Sequence, residues 1–401
     1  MNTSTVQSDI AIIGGGASGL AAAIAAARLG AAVVCLEKLP RLGKKLLATG
    51  NGRCNLGNLS RDAAHYRGSV DTAPIFAEFP GEAAFFRSLG LWAHPDAEGR
   101  LYPASNQAAS VLDALRLTCA HLGVKELCGF ALCKISPQDG SFLLRSEQGD
   151  IVRARRVILA TGGRAAPQYG SAGEGLTLAK QLGHTVTNCY PALAPVPVDP
   201  KLVRPLKGLR VDAEVAAWRK GARRGAEAGQ VQFTENTLSG ICVFNLSIYR
   251  PDALSLDLLP WCEDAAALFA ELAAQRADFA LEDMLTGLLP KRIGQALLKS
   301  CTDLPLTARV SALDVAARNA LAALAKDWRF PATPCANWEA AQVTAGGVTG
   351  VSDTLESPVV PGLYFAGEIL DVHGDCGGFN LRFAWASGTL AGTQAARGLG
   401  L

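Results

Sequence analysis

Residues 9–36 constrain this chain more than any other stretch. The apolar run Asp9-Ile-Ala-Ile-Ile13 meets Gly14-Gly-Gly16-Ala-Ser-Gly19, an Ala-rich segment Leu20–Leu29 reads as helix, and Ala31–Leu36 returns as strand and closes on Glu37. In a βαβ unit Gly14 makes the tight turn, Gly16 admits a pyrophosphate against the backbone, and Gly19 lets helix and strand pack closely. The helix start, from Ala17 and Ser18 onward, turns free N–H groups toward phosphate. Glu37 follows 18 residues after Gly19, where a carboxylate is needed for a ribose 2′-hydroxyl. The unit fits a dinucleotide with a free ribose. FAD and NAD share that ADP half, so this stretch alone leaves both open.

With 401 residues the chain has room for two or three domains. A net charge of +2 gives no electrostatic case for nucleic acid. The small cluster Arg219-Lys220 and Arg223-Arg224 reads as a solvated turn. The start MNTSTVQSD lacks a basic region leading into an apolar one, and the apolar tract 20–36 is broken by Arg28 and Gly30, so neither a secretion signal nor a membrane span is expected. Eleven irregularly spaced cysteines without CxxC point to reduced thiols, a cytoplasmic location and no metal site.

After Glu37, the stretch Leu42-Gly-Lys-Lys-Leu-Leu-Ala-Thr-Gly-Asn-Gly-Arg-Cys-Asn55 reads as a loop wrapped around a ligand. Lys44, Lys45 and Arg53 supply cations, Gly50 and Gly52 allow close approach, and Asn51 and Asn55 offer amides. Residues 71–90 and 108–122 read as helical, and Trp92, His94 and Gly99–Pro103 as a packed or substrate-lining loop. Strands are expected at 130–135, 142–145 and 152–159. The last runs into Ala160-Thr161-Gly162-Gly163, whose glycines let the chain cross beside a cofactor. The run GSAGEG at 170–175 lacks a leading strand and a following acid, so it reads as loop before a short helix. Prolines at 191, 195, 197, 200 and 205 mark a domain crossing. Beyond it, 208–217, 230–233 and 240–248 read as strands and 264–289, 293–300 and 310–328 as helices. Pro331 and Pro334 mark the return. The expected segments are a cofactor domain at 1–190 and 336–401, with β-rich 191–262 and helical 263–335 inserted.

The far end decides the cofactor. Leu363–Ala366 reads as a short buried strand ending on Gly367-Glu368, whose carboxylate suits a ribityl hydroxyl. Gly377-Gly378-Phe379-Asn380 then opens a long helix whose N–H groups and positive dipole end face whatever sits there. A flavin pyrimidine, which gains negative charge on reduction, is stabilised by that arrangement; a nicotinamide is not.

In order, GGGASG, GKKLLATGNGRCN, GRLYPAS, ATGG, VTAGGV and GLYFAGEILDVHGDCGGFNLRFAWASG resemble, over most of the chain, the BaiN-type FAD-dependent oxidoreductases, a family that includes aminoacetone oxidase. The C-terminal part is more distantly similar to fumarate reductase flavoproteins. The resemblance implies an α/β fold: a Rossmann-like FAD-binding domain of the glutathione-reductase and fumarate-reductase type, with an inserted β-barrel-like plus helical domain. It implies pyrophosphate against Gly14, Gly16, Ala17, Ser18 and Gly19, adenosine ribose on Glu37 and Lys38, and a wrapping loop of Lys45, Gly52, Arg53, Cys54 and Asn55. Adenine is implied near Leu132, the turn Thr161, Gly162 and Gly163 beside the cofactor, and flavin contacts at Gly367, Glu368, Asp371, Gly378, Phe379, Asn380 and Leu381. One segment departs from the pattern. Where relatives read Phe-Thr-His followed by Gly-x-Ser-Gly-Pro, this chain has Phe233-Thr-Glu-Asn-Thr-Leu-Ser-Gly-Ile241, so the relatives' substrate chemistry does not carry over there.

The expected chemistry is flavin redox on a small-molecule substrate. His373 and Cys376, in the loop before the flavin-facing helix, are the candidates to meet it, and Cys54 with Cys376 reads as two packed thiols rather than a redox pair. The leading expectation is an NAD(P)H-linked reductase or dehydrogenase of a small or steroid-like enone, with nicotinamide bound transiently. The alternatives are an O2-using amine oxidase and a flavin-bearing RNA-modification or sensor protein.

Overall fold

In the computed structural model, which describes residues 5–401, the apolar strand Val6–Ile13 lies at the centre of a seven-stranded sheet. It pairs in parallel with Val33–Glu37 on one side and Ile151–Leu159 on the other. Val33–Glu37 pairs with the edge strand Lys125–Cys128. The far side of Ile151–Leu159 is shared. Its first half pairs antiparallel with Ser141–Ser146, and its second half pairs in parallel with Leu363–Phe365, from the other end of the chain. The strands next to the centre are buried on both faces, and so read as continuous Val/Ile/Leu runs.

Two helices cover one face. Ala17–Arg28 and the C-terminal helix Phe379–Arg397 approach closely because their facing residues are small. A Cβ on Gly388 would stand 2.3 Å from the Ser18 carbonyl oxygen, and one on Gly392 2.3 Å from that of Ala22. The Trp385 indole N–H, fully buried, donates to the Leu56 carbonyl at 3.0 Å. The C-terminal helix is thereby tied to the wrapping loop. The region expected as one helical stretch at 71–90 is two short helices, Ala73–Ala77 and Glu82–Arg87, separated by Pro80-Gly81. These elements, residues 5–191 and 337–401, make one unit.

Residues 192–336 make a second unit. Six antiparallel strands run in the order Val196–Pro197, Thr237–Ser239, Ala222–Phe233, Arg210–Arg219, Ala253–Asp257, Trp328–Pro331. The helices Ala265–Gln275, Lys291–Cys301 and Val315–Lys326 share one core with that sheet, around Phe233, Phe269, Leu297 and Phe330. Three expectations are corrected here. Residues 240–248 are not a strand but the helix Ile241–Ser247, started by Gly240 at φ 125°. The helix expected over 264–289 ends at Gln275, and residues 281–283 form a separate 3-10 turn. The end of 310–328 is strand, because Trp328 and Phe330 alternate inward onto Phe233. The departing segment 233–241 is a tight turn, closed by the Thr237 N–H on Thr234 Oγ1 at 3.0 Å, then a short strand. Among the described residues, no helix is long and apolar enough to cross a membrane.

Candidate functional site

The predicted dinucleotide turn has the geometry its sequence implies. Gly14 has φ 104°, and a Cβ there would stand 2.5 Å from the Ala160 oxygen of the neighbouring strand. A Cβ on Gly19 would stand 1.9 Å from the Gly14 oxygen, so both positions need glycine to close the strand–helix joint. Gly16 differs: a Cβ there would meet nothing within 4 Å. It caps the helix Ala17–Arg28 without any side-chain bond, leaving the helix N–H groups turned to open space. Glu37 is already aimed. Its Oε2 accepts from the Gly15 N–H and its Oε1 from the Leu39 N–H, both at 2.9 Å.

Lys38 is occupied by an ion pair with Glu174 of the GSAGEG loop. Burial pushes the Glu174 carboxyl up, but the Lys38 ammonium and local backbone N–H groups hold it below its ordinary range. That loop thus supports the ribose side although it carries no fingerprint of its own. Leu132 begins an edge strand. The chain just before it runs beside the acid, with the Phe130 N–H on the Glu37 carbonyl at 2.9 Å and the Gly129 N–H on that of Leu39 at 3.1 Å.

Four separate motifs meet at Thr344. Its N–H donates to Glu368 Oε1 at 2.9 Å, and its Oγ1 accepts from the Arg164 and Ala165 N–H groups at 2.7 and 3.0 Å. Glu368 Oε2 pairs with Lys45 Nζ at 2.7 Å. The wrapping loop, the ATGG turn, VTAGGV and the AGE strand end are therefore one network, and Gly163 must be glycine because a Cβ would stand 2.3 Å from Thr344 Oγ1. The VTAGGV motif was visible in the sequence, but nothing in it singled out the threonine as the junction. Beside it, Ser171 Oγ bonds the Thr161 and Gly163 carbonyls and closes the turn through Gly162. Gly367 is fixed by Ser387 Oγ, which accepts its N–H at 2.9 Å.

At the other helix start, Gly378 has φ 104° and caps Phe379–Arg397 without a side-chain bond. Asn55 Oδ1 is buried without a partner close by, 2.6 Å from where a Gly378 Cβ would stand. A buried acceptor with no donor beside an uncapped helix start is the mark of a ligand site. Together with the open face of Gly16, it shows that these residues fit FAD: N–H groups for the pyrophosphate at one end, N–H groups and an amide for the flavin pyrimidine at the other.

Several predicted residues brace the protein itself. The Asn380 amide accepts the Gly374 N–H at 2.8 Å and donates to the Gly374 and Asp375 carbonyls, which shapes the loop before the helix. Asp371 is buried and accepts the Ser69 hydroxyl at 2.7 Å. Arg53 lies over the Tyr102 ring at 4.4 Å, locking the wrapping loop to the GRLYPAS strand. Gly52 has open space around its α-carbon. Phe379 is buried and stacks on His65 at 4.0 Å, while Leu381 is half-buried in the first turn of its helix.

His65 is a site residue that sequence reasoning missed. Its Nδ1 lies 3.0 Å from Asp375 Oδ2 and its Nε2 3.1 Å from Ser60 Oγ, while Arg67 pairs with the same carboxylate. Short spacing from the strand 66–68, paired with 372–374, brings the array together across 310 residues of sequence. Of the two predicted substrate-facing side chains, His373 is buried with its Nδ1 unpartnered, and burial pulls its pKa down, so the ring is neutral. Cys376 is half-buried, 3.4 Å from Gln342 Oε1. Burial pushes the Cys54 thiol up to about 12, and Cys54 and Cys376 are both free.

Comparison with known proteins places this frame. A family profile described as "HI0933-like protein Rossmann domain" matches residues 8–394. The chain is 39% identical to the 3-dehydro-bile acid delta(4,6)-reductase of Clostridium scindens, covering 96% of this chain and 98% of that protein. It is 30% identical to the ribosomal RNA dihydrouridine synthase of Escherichia coli, covering 94% and 96%. Among solved structures, the open conformation of a flavocytochrome c3 fumarate reductase matches with a TM-score of 0.50 at 16% identity, over 99% of this chain and 79% of that one, a likeness of fold. With a Rossmann frame completed from both chain ends and a match over nearly its full length, the chain belongs to the HI0933-like, or BaiN, family of FAD-dependent oxidoreductases.

Proposed function

We propose that this enzyme reduces a carbon–carbon double bond conjugated to a carbonyl, in a steroid-like ring compound, with electrons from NAD(P)H. The single observation that carries the reading is the near-complete match to a delta(4,6)-reductase of a 3-dehydro-bile acid. Bound FAD supplies a hydride from N5. The chain's own contribution is positioning and charge. Gly14–Gly19 and Glu37 hold the ADP half, the Lys45–Glu368–Thr344 network fixes the loop along the cofactor, and the N–H groups following Gly378 offset negative charge on the pyrimidine. Saturating an enone also needs a proton, and the Ser60–His65–Asp375 array is a hydrogen-bonded route by which one is held near the flavin-facing loop. His373, buried and neutral, offers a second polar group in that loop.

A second reading is favoured by the match to a ribosomal RNA dihydrouridine synthase, because forming dihydrouridine also saturates a ring double bond next to a carbonyl. Both readings are reductions; the amine-oxidase alternative is not.

The test is a stopped-flow comparison on the yellow holoenzyme. NAD(P)H should bleach the flavin rapidly under nitrogen, a 3-oxo-4,6-diene steroid should restore its colour, and air should do so only slowly. Rapid reoxidation by air with hydrogen peroxide release, and none by the enone, would overturn the reading. His65→Gln should slow the enone step and change its pH profile while leaving bleaching by NAD(P)H in place.

A further inference from the structure

The unit 192–336 carries a cleft that plays no part in the cofactor frame. Arg219, Lys220, Arg224, Ile248 and Tyr249 line it, around about 370 Å³. It lies at the tip of the long hairpin formed by Arg210–Arg219 and Ala222–Phe233, where a charged cluster had read as a plain solvated turn. The structure gives reasons to doubt that plain reading.

The first reason is neutralisation. Arg223 of the same tip is paired with Glu214 at 2.6 Å, pointing away from the cleft list of residues. The nearby Asp252 carboxylate is taken up by the Lys220 backbone N–H at 2.6 Å, so it shapes the turn. The side chains of Lys220 and Arg224 make no hydrogen bond or ion pair with the described residues. Three cations line one cleft, and like charges gathered without counter-charges oppose folding rather than help it.

The second reason is construction. Arg219 is held by a bond from Nη1 to the Tyr249 carbonyl at 3.3 Å. Lys220 occupies φ 52°, a left-handed conformation that a lysine rarely adopts, which aims the turn. The Tyr249 ring lies over Gly225, where a Cβ would stand 2.7 Å from the ring, and so the bare glycine admits the aromatic wall. Ile248 is buried and forms an apolar floor. Cations on one side with an aromatic ring and an apolar floor on the other suit a ligand that is anionic at one end and flat at the other.

We propose that this cleft binds the phosphate of a nucleotide, with the guanidinium groups of Arg219 and Arg224 and the Lys220 ammonium on the phosphate oxygens, and Tyr249 beside the base or sugar. Two sources share that chemistry: a soluble nicotinamide dinucleotide and an RNA strand. The site is independent of which double bond the enzyme reduces.

The test uses the intact holoenzyme, oxidised, so that no turnover occurs. Titration calorimetry is run with pyrophosphate, with NADP+, and with a short single-stranded RNA, on the wild type and on Lys220→Gln/Arg224→Gln. Neither substituted side chain has a partner in the protein, so the variant should keep its flavin spectrum and melting temperature. Pyrophosphate and one of the two nucleotides should bind the wild type, and the double variant should weaken both at least tenfold. For RNA, the salt slope should also flatten by about two, one for each lost phosphate contact. Loss confined to NADP+ assigns the cleft to the dinucleotide; loss confined to RNA assigns it to the strand. No binding by the wild type, binding unchanged in the variant, or binding of pyrophosphate without either nucleotide would each overturn the proposal. All three leave the enone reduction standing, because none of them measures it.

Discussion

The two uncapped helix starts of the cofactor unit look alike in sequence and differ in the space around them. Both open on a glycine, and neither has a side-chain cap. Gly16, at φ −84°, has open space where its Cβ would be, whereas Gly378, at φ 104°, would drive a Cβ to 2.3 Å from the Gly57 oxygen and 2.6 Å from Asn55 Oδ1. Glycine at the first start leaves room for a ligand. At the second it leaves room for the protein, because the wrapping loop crosses the helix end there. A glycine-rich turn therefore signals close approach without saying what approaches.

Substitution by alanine separates the two cases. Gly378→Ala combines a strained φ with backbone overlap, so the flavin-free chain should lose about 3 kcal/mol or more in urea unfolding. Unfolding midpoints equal to wild type would show that the loop yields, and would erase the difference between the two starts. Gly16→Ala meets neither obstacle. Its flavin-free stability should stay within about 1 kcal/mol of wild type, while FAD affinity falls about tenfold or more, as read by quenching of flavin fluorescence. If both variants lost stability and kept FAD affinity, the open space at Gly16 would not be cofactor space.

Asn55 sharpens the contrast from the protein side of the second start. Its buried Oδ1 has no donor in the flavin-free chain. Removing it in Asn55→Ala removes an unsatisfied acceptor, so flavin-free stability should hold or rise slightly, while loss of one hydrogen bond to the flavin should weaken FAD binding by about 1 kcal/mol. A variant that loses stability but not affinity would place the amide in the protein's own packing.

What could be read from the sequence follows the same division. The strand–turn–helix at Gly14–Gly19, Glu37, and the helix opening at Gly378 depend on local backbone geometry, and local geometry leaves a mark in residue type. The Thr344 junction, the Lys38–Glu174 pair and the His65–Asp375 contact join residues 24 to 310 positions apart, and no local pattern records them. In the inserted unit the misread element has a physical cause. Ile241, Val243, Phe244 and Ile248 give a β-like composition, yet Cys242, Val243, Leu246 and Ser247 are the residues turned inward, a helical period set by packing against the long hairpin. Likewise 264–289 kept an apolar helical period past Gln275, but Asp278 to Asp283 turn to pair with Arg309 and Ala308, which ends the helix.

Cys54 offers the mildest test, on the loop that separates the two helix starts. It is fully buried and held at φ 61°, and burial alone pushes its thiol from 9.0 to about 12. A thiol ionises more readily in the unfolded chain, so the unfolded state releases its proton first as the pH rises. The Cys54 contribution is therefore complete below pH 9 and declines as pH climbs from 9 toward 12. Between pH 8 and pH 9.5 it should remove about 0.8 kcal/mol of stability that Cys54→Ala does not lose. Parallel urea unfolding of wild type and Cys54→Ala at the two pH values measures this as a change in their difference, which cancels every other titrating group. The thiol should also resist iodoacetamide in the folded holoenzyme at pH 8. A constant difference together with rapid alkylation would mean that the wrapping loop opens, and that Gly378 meets it only part of the time.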